Sequence, residues 1–253
     1  MANNMRYFIG NWKMFGIPKS ISIPNKINKF IKSDKKYNKK YKVIITPPNT
    51  LIQTYAKYFL NKKIYIGAQN CYHKDNFGPN TGAVSSLMIK NVGAQYVIIG
   101  HSDNRLEGDT DAMIRSKVEN SLNNKLKIVF CIGENKEHKS NNKTFEILES
   151  QIRNALDEKF NFKDIIVAYE PIWSIGTGQI PKPDDLIKTT IFIKKVLKKI
   201  FKKQKSPIVL YGGSVDGKNI SQFKRLNEID GFLIGGASKS DQNFIDIIKN
   251  YYR

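Results

Sequence analysis

Short apolar runs rich in β-branched residues recur along the chain. Between them lie longer stretches whose apolar positions fall three and four residues apart. The short runs predict strands at 7–10, 42–46, 64–68, 96–99, 127–131, 165–169, 208–211 and 231–234. The longer stretches predict helices over 19–32, 50–60, 109–124, 143–158, 183–203, 219–226 and 241–251, with a shorter one between 81 and 91. The helical period is clearest from Thr189 to Phe201. There Ile191, Ile193, Val196, Leu197 and Ile200 alternate with Lys194, Lys195, Lys198 and Lys199, which reads as a solvated basic face. Pro183 followed by Asp184 and Asp185 marks a helix start.

Strict alternation of strand and helix argues for a parallel sheet, because each crossover must return over the sheet. Eight units in 253 residues come to about 32 residues each, the size of a βα unit. Eight such units can close into a (β/α)8 barrel. The alternative is an open doubly wound sheet, which carries a glycine-rich phosphate fingerprint at its first βα turn. Here that turn reads Gly10-Asn-Trp-Lys-Met-Phe-Gly16, which is neither that fingerprint nor a Walker A loop. The expectation is an α/β protein, a single (β/α)8 barrel domain over 1–253. Nothing resembles a linker, and the polar stretch 134–143 reads as a surface loop.

Apolar residues make up 40% and charged residues 25% of the chain, a globular balance that argues against global disorder. No apolar run reaches the roughly 18 residues of a membrane helix. The first residues run straight into a strand pattern with no leader-like segment, so a soluble cytoplasmic protein is expected, with no membrane partner. Cys71 and Cys131 are too few for a disulfide framework and lack metal-ligand spacing. The net charge is +20, from 42 basic and 22 acidic residues. Such a balance invites nucleic-acid binding. Only six of the basic residues are arginine, however, the side chain best suited to bidentate phosphate and base recognition. The lysines travel with abundant Asn and Ile, so a drift towards A/T-rich codons explains the charge better than a nucleic-acid surface does.

In a parallel barrel the chemistry sits just past the carboxyl ends of the strands. The first run ends in Asn11-Trp12-Lys13, with Asn11 and Lys13 on one side by alternation. Lys13 is either an anion-binding cation or one more surface lysine. The fourth run delivers His101, followed by Ser102 as a candidate helix cap. A helix start beside His101 would favour the neutral ring, and the other reading is a packed core histidine. The sixth run ends on Glu170, a candidate general base or an ordinary exposed strand-end carboxylate. Glycine clusters follow at Gly176-Thr-Gly178, Gly212-Gly-Ser214 and Gly235-Gly236. The last two come directly after the seventh and eighth strands, where this architecture commonly holds phosphate on backbone N–H groups. A base, an imidazole, a cation and an anion cradle suit proton transfer on a small phosphorylated compound, without cofactor or metal.

The motifs that carry these residues resemble those of the triosephosphate isomerases. They are Asn11-Trp-Lys13-Met, Gly67-Ala-Gln-Asn70, Gly100-His-Ser-Asp-Asn-Arg105, Cys131-Ile-Gly-Glu134, Tyr169-Glu-Pro-Ile-Trp-Ser-Ile-Gly-Thr-Gly178, Tyr211-Gly-Gly-Ser-Val215 and Asp230-Gly-Phe-Leu-Ile-Gly-Gly-Ala237, all in order. The resemblance implies a TIM barrel that interconverts dihydroxyacetone phosphate and glyceraldehyde 3-phosphate through an enediolate, in glycolysis and gluconeogenesis. It implies Glu170 as base, neutral His101 as proton carrier and Lys13, beside Asn11, as the cation. Gly176, Ser214, Gly235 and Gly236 would hold the phosphate, and 171–178 would form a lid with Trp173 near its first hinge. It also implies a homodimer in which the loop 71–85 reaches the active site of the second copy through Thr81. Three positions depart from the family pattern: Asp103-Asn104 stands for Glu-Arg, and Ala83 follows Thr81-Gly82 in place of Glu. The shorter Asp103 puts its contact with the Lys13 region in question.

Overall fold

The computed structural model describes residues 5–74, 77–203 and 206–253. Its strands are β1 (Arg6–Asn11), β2 (Tyr41–Thr46), β3 (Ile64–Ala68), β4 (Tyr96–Ile99), β5 (Lys127–Ile132), β6 (Ile165–Tyr169), β7 (Ile208–Tyr211) and β8 (Gly231–Ile234). They form a closed parallel barrel in chain order. The ring closes through β1, where Phe8 lies opposite Val43 of β2 and Phe232 of β8. All eight expected runs are strands, and β1, β2 and β5 extend one or two residues further than the pattern suggested.

Strand alternation sorts the core into two layers. Ile9, Ile44, Ile98, Val129, Ile166 and Leu210 fill the barrel. Their neighbours Phe8, Val43, Val97, Phe130, Val167 and Val209 pack outward against the helices. Both faces of each strand are therefore buried, which is why the strands read as near-continuous apolar runs.

The helices are α1 (Ser22–Ser33), α2 (Asn49–Phe59), α3 (Ser86–Asn91), α4 (Ser102–Leu106), α5 (Asp111–Asn123), α6 (Lys136–Ser140), α7 (Thr144–Ala155), α8 (Pro183–Phe201) and α9 (Asp241–Tyr252). Pro183 does open α8, with Asp184 and Asp185 in the first turn, where the helix dipole favours negative charge. Its lysine face has one exception. Lys194 reaches Asp230 at 2.8 Å, and that carboxylate is 1% exposed. Among the described residues, no helix is long and apolar enough to cross a membrane.

Three expectations need correction. The helix expected over 219–226 is only a short 3-10 turn, Ile220–Phe223, and Asp216 ahead of it accepts the N–H groups of Lys218 and Asn219. The stretch 81–91 becomes helical only at Ser86. Gly82 stands at φ +81, and Ser85 caps the helix by accepting the Met88 N–H. The stretch 134–143 is not a plain surface loop. It contains α6, capped by Asn135, and it begins with Glu134, which is 1% exposed.

Candidate active site

The carboxyl ends of the strands surround a cavity of about 330 Å³. Asn11, Lys13, His101, Glu170, Gly176, Ser214, Gly235 and Gly236 all line it. The barrel thus brings these eight residues together, from five separate strand ends and the stretch after β6, whereas Ser102, Trp173, Gly178 and Thr81 do not line the cavity.

Alternation along β1 carries Asn11 inward. Trp12 turns outward, is fully buried, and donates its Nε1–H to the Ser238 carbonyl at 3.0 Å. Lys13 then adopts φ +52, a left-handed conformation that costs a non-glycine residue about 1–3 kcal/mol. Local hydrogen bonds hold it there. The Lys13 N–H donates to Asn11 Oδ1 at 3.0 Å, and Gln69 Nε2 donates to the Lys13 and Thr46 carbonyls at 2.9 and 2.8 Å. Lys13 Nζ pairs with Asp103 Oδ2 at 3.1 Å, so the shorter acid keeps the contact.

His101 breaks the phase of its strand. Val97 and Ile99 face the helices, so continued alternation would send residue 101 outward as well. Gly100, at φ +74, breaks the alternation, and the ring enters the cavity. Ser102 was the expected cap of the following helix, but His101 itself caps α4. Its Nδ1 accepts the Asp103 N–H at 3.1 Å. A ring nitrogen that accepts carries no proton, so the imidazole is neutral with its proton on Nε2. That nitrogen lies 3.4 Å from Glu170 Oε1.

Glu170 is 3% exposed, not the exposed strand-end carboxylate that was the alternative. Its N–H donates to the Ile132 carbonyl at 2.7 Å. Burial raises its carboxyl above the ordinary range. The Cys131 thiol, the Ser102 N–H and Lys13 oppose that rise. A raised carboxylate is a stronger base, as proton abstraction requires. Glycines flank this residue on both sides. A Cβ on Gly133, after β5, would lie 1.8 Å from the Glu170 carbonyl oxygen. One on Gly212, after β7, would lie 2.7 Å from Glu170 Cγ. Sequence reading assigned Gly212 to phosphate alone and gave Gly133 no role. Only the pairing of β5, β6 and β7 reveals that both leave room for the base.

After β6 the chain makes a 3-10 turn, Ile172–Ser174, and then rises through Gly176 at φ +70 and Gly178 at φ +76. The base of this stretch is tied down. Trp173 Nε1 and the Tyr169 hydroxyl donate to Glu134 Oε1 at 2.9 and 3.1 Å, and Lys139 Nζ sits 3.4 Å from the indole centroid. The Ser174 hydroxyl meets both the Tyr211 hydroxyl, at 3.0 Å, and the Gln179 carbonyl. Residues 176–179, by contrast, are exposed. Sequence reading left Glu134 and Lys139 with no role beyond a motif end and a surface loop. The available signal was a carboxylate immediately past a strand end.

After β8, Gly235 leads into a 3-10 turn at Gly236–Lys239. A Cβ on Gly235 would come within 4.0 Å of Lys13 Cε, and one on Gly236 would meet nothing within 4 Å. The open backbone of these glycines and the Lys13 stem therefore share one corner of the cavity, which suits an anion. Among the described residues no group of His, Cys, Asp or Glu side chains could hold a metal. A larger cleft, of about 440 Å³, lies at the opposite end of the barrel around Lys57, Leu60 and Tyr65. It carries neither an acid nor a histidine.

The fold and site define a (β/α)8-barrel enzyme whose cavity sets a buried carboxylate and a neutral imidazole against an anion-binding corner. The family model described as triosephosphate isomerase matches residues 6–251. The triosephosphate isomerase of Dictyoglomus thermophilum is 37% identical over 245 residues, covering 95% of this chain and 97% of that protein. That of Thermodesulfovibrio yellowstonii is 36% identical over 247 residues, covering 96% and 98%. A crystal structure of triosephosphate isomerase from Bartonella henselae superposes with a TM-score of 0.89 at 31% identity, covering 98% of this chain and 99% of that one. The chain belongs to the triosephosphate isomerase family.

Proposed function

We propose that Glu170, His101 and Lys13 interconvert dihydroxyacetone phosphate and glyceraldehyde 3-phosphate through an enediolate. The observation that carries this reading is the convergence of a buried carboxylate, a neutral imidazole 3.4 Å away and a lysine on one cavity bordered by glycine loops. Glu170 takes the proton from the carbon beside the carbonyl. The electron pair moves towards the carbonyl oxygen, which His101 meets with its Nε2–H. His101 then carries a proton between the two oxygens, and Glu170 returns its own to the neighbouring carbon. Lys13 offsets the negative charge of enediolate and phosphate. Asn11 orients Lys13, and backbone N–H groups at Gly176, Ser214, Gly235 and Gly236 hold the phosphate. Residues 171–178 act as a lid that keeps water from the enediolate. A cytoplasmic setting accords with such a substrate and with the two unpaired, buried cysteines.

The same reading includes a homodimer. A groove beside the cavity is lined by Asn11, Met14, Gln69, Asp103 and Asn104. Met14 is fully exposed at its edge, and Phe77 of the loop 71–85 is 78% exposed. Residues 75 and 76 of that loop lie outside the described residues. Burying both apolar side chains against a second copy favours association. Turnover of glyceraldehyde 3-phosphate without added metal or nucleotide tests the activity. A monomeric mass in solution would remove the dimer.

A further inference from the structure

The loop after β7 contains an arrangement that none of these roles uses. Ser214 lines the cavity, and so does Asp216 two residues later. A carboxylate close to a phosphate site would repel the ligand. Here Asp216 Oδ1 is occupied instead, accepting the N–H groups of Lys218 and Asn219 at 2.8 Å each. Asn219 answers in the other direction. Its Oδ1 accepts the Asp216 N–H at 3.0 Å, and its Nδ2 donates to the Ser214 carbonyl at 3.2 Å. Asn250 of α9 ties down the middle of the turn by donating to the Gly217 carbonyl at 2.8 Å.

Asn219 therefore spans the segment 214–219 with both ends of its amide. Pinning the Ser214 carbonyl sets the peptide that follows Ser214 and so the torsion of that residue. Asx side chains commonly close turns in this way. The unusual feature is where the closed turn sits, since its first residue faces the cavity. Gly212 and Gly213 just before it carry no side chain that could hold the Ser214 carbonyl, so that end of the turn is held from Asn219.

We propose that Asn219 is a positioning residue for the phosphate cradle, bracing the Ser214 backbone against the cavity, and that Asp216 serves this turn rather than the substrate. The proposal rests on the assignment of Ser214 to the phosphate. It makes Asn219 matter for the phosphate and leave the chemistry at Glu170 untouched, because the brace contacts neither Glu170 nor His101.

The test uses the full chain carrying Asn219→Ala, Asn219→Asp or Asp216→Asn. Each is assayed with glyceraldehyde 3-phosphate, with unphosphorylated glyceraldehyde, and for inhibition by inorganic phosphate. Asn219→Ala removes two hydrogen bonds, so the phosphate inhibition constant and the KM for the phosphorylated substrate should each rise about tenfold. Its kcat and its turnover of glyceraldehyde should stay within about threefold of the unsubstituted chain. Asn219→Asp keeps the acceptor but sets a second oxygen against the Ser214 carbonyl, and should lose at least as much phosphate affinity. Asp216→Asn keeps an acceptor for the two N–H groups and loses the charge, so phosphate should bind as well or more tightly. Unchanged phosphate inhibition in Asn219→Ala would overturn the proposal, as would equal losses on both substrates, which would mean a general loosening of the barrel. Weakened phosphate binding in Asp216→Asn would overturn the role given to Asp216. If the unsubstituted chain turns over neither substrate, the underlying reading fails and takes this one with it.

Discussion

Gly133→Ala should cripple the base without touching it. The residue follows β5, and a Cβ there would sit 1.8 Å from the carbonyl oxygen of Glu170 and 2.7 Å from its carbonyl carbon. Real Cβ contacts essentially never fall below 3.0 Å, so the Glu170 peptide must retreat by more than 1 Å. It has little room to do so cheaply, because the Glu170 N–H is bonded to the Ile132 carbonyl one residue before the substitution. Gly212 presses from the other side, where even a Cβ would contact Glu170 Cγ. A misplacement of about 1 Å at a catalytic group costs on the order of 10² in rate. Overpacking of this kind costs about 1–3 kcal/mol of stability. Steady-state kinetics should therefore show kcat down about a hundredfold. KM should hold within a few-fold, because Ser214, Gly235 and Gly236, three of the four residues proposed to hold the phosphate, follow β7 and β8. A thermal melt on the same sample separates the kinetic loss from unfolding. A folded Gly133→Ala protein with undiminished kcat would refute the argument that Glu170 is held in place by contact with this glycine.

Further expectations follow from the same geometry. Glu170→Asp retracts the carboxylate by about one C–C bond and should lower kcat on the order of 10²-fold with little change in KM, read by steady-state kinetics. Glu170→Gln should abolish turnover yet stabilise the fold at high pH. Burial raises the Glu170 carboxyl, so its contribution to stability is present below the ordinary carboxylate range and is lost as pH rises through the raised value. The melting temperature of the Gln variant should accordingly exceed the parent's at pH 8 and match it near pH 4, and the reverse order would contradict the burial argument. A phosphate-bearing inhibitor should alter Trp173 fluorescence and protect 171–178 from proteolysis, and identical traces with and without it would remove the lid. Trp173→Phe strips one of the two donors from buried Glu134 Oε1 and should cost about 1–3 kcal/mol in denaturant unfolding, whereas a neutral outcome would mean that the indole contact contributes nothing to the fold.

The strands were legible because each is buried on both faces, and that requirement is written residue by residue as apolar runs. Asn11 faces inward because period-two alternation runs to the last paired residue of β1, and Glu170 because it continues one residue past β6, a direction that the sequence left open against an exposed strand end. Helix starts with a local signal, such as Pro183, could also be read. Local patterns could not settle contacts between distant segments. Lys194 belongs by its spacing to a solvated face, yet it reaches Asp230 because α8 packs on β7, to which Asp230 is bonded through Val209. Glu134 sits in a polar stretch, yet Trp173 and Tyr169 enclose it. His101 enters the cavity only because Gly100 takes a positive φ, a choice that glycine permits and does not announce. The spaces beside Glu170 are cleared by glycines just past two other strands, 37 residues before it and 42 after. Sequence alone determined which segments become strands and which side chains their ends present. Closure of the barrel decided which of those ends meet, because periodicity records the face of an element and carries no information about what packs against it.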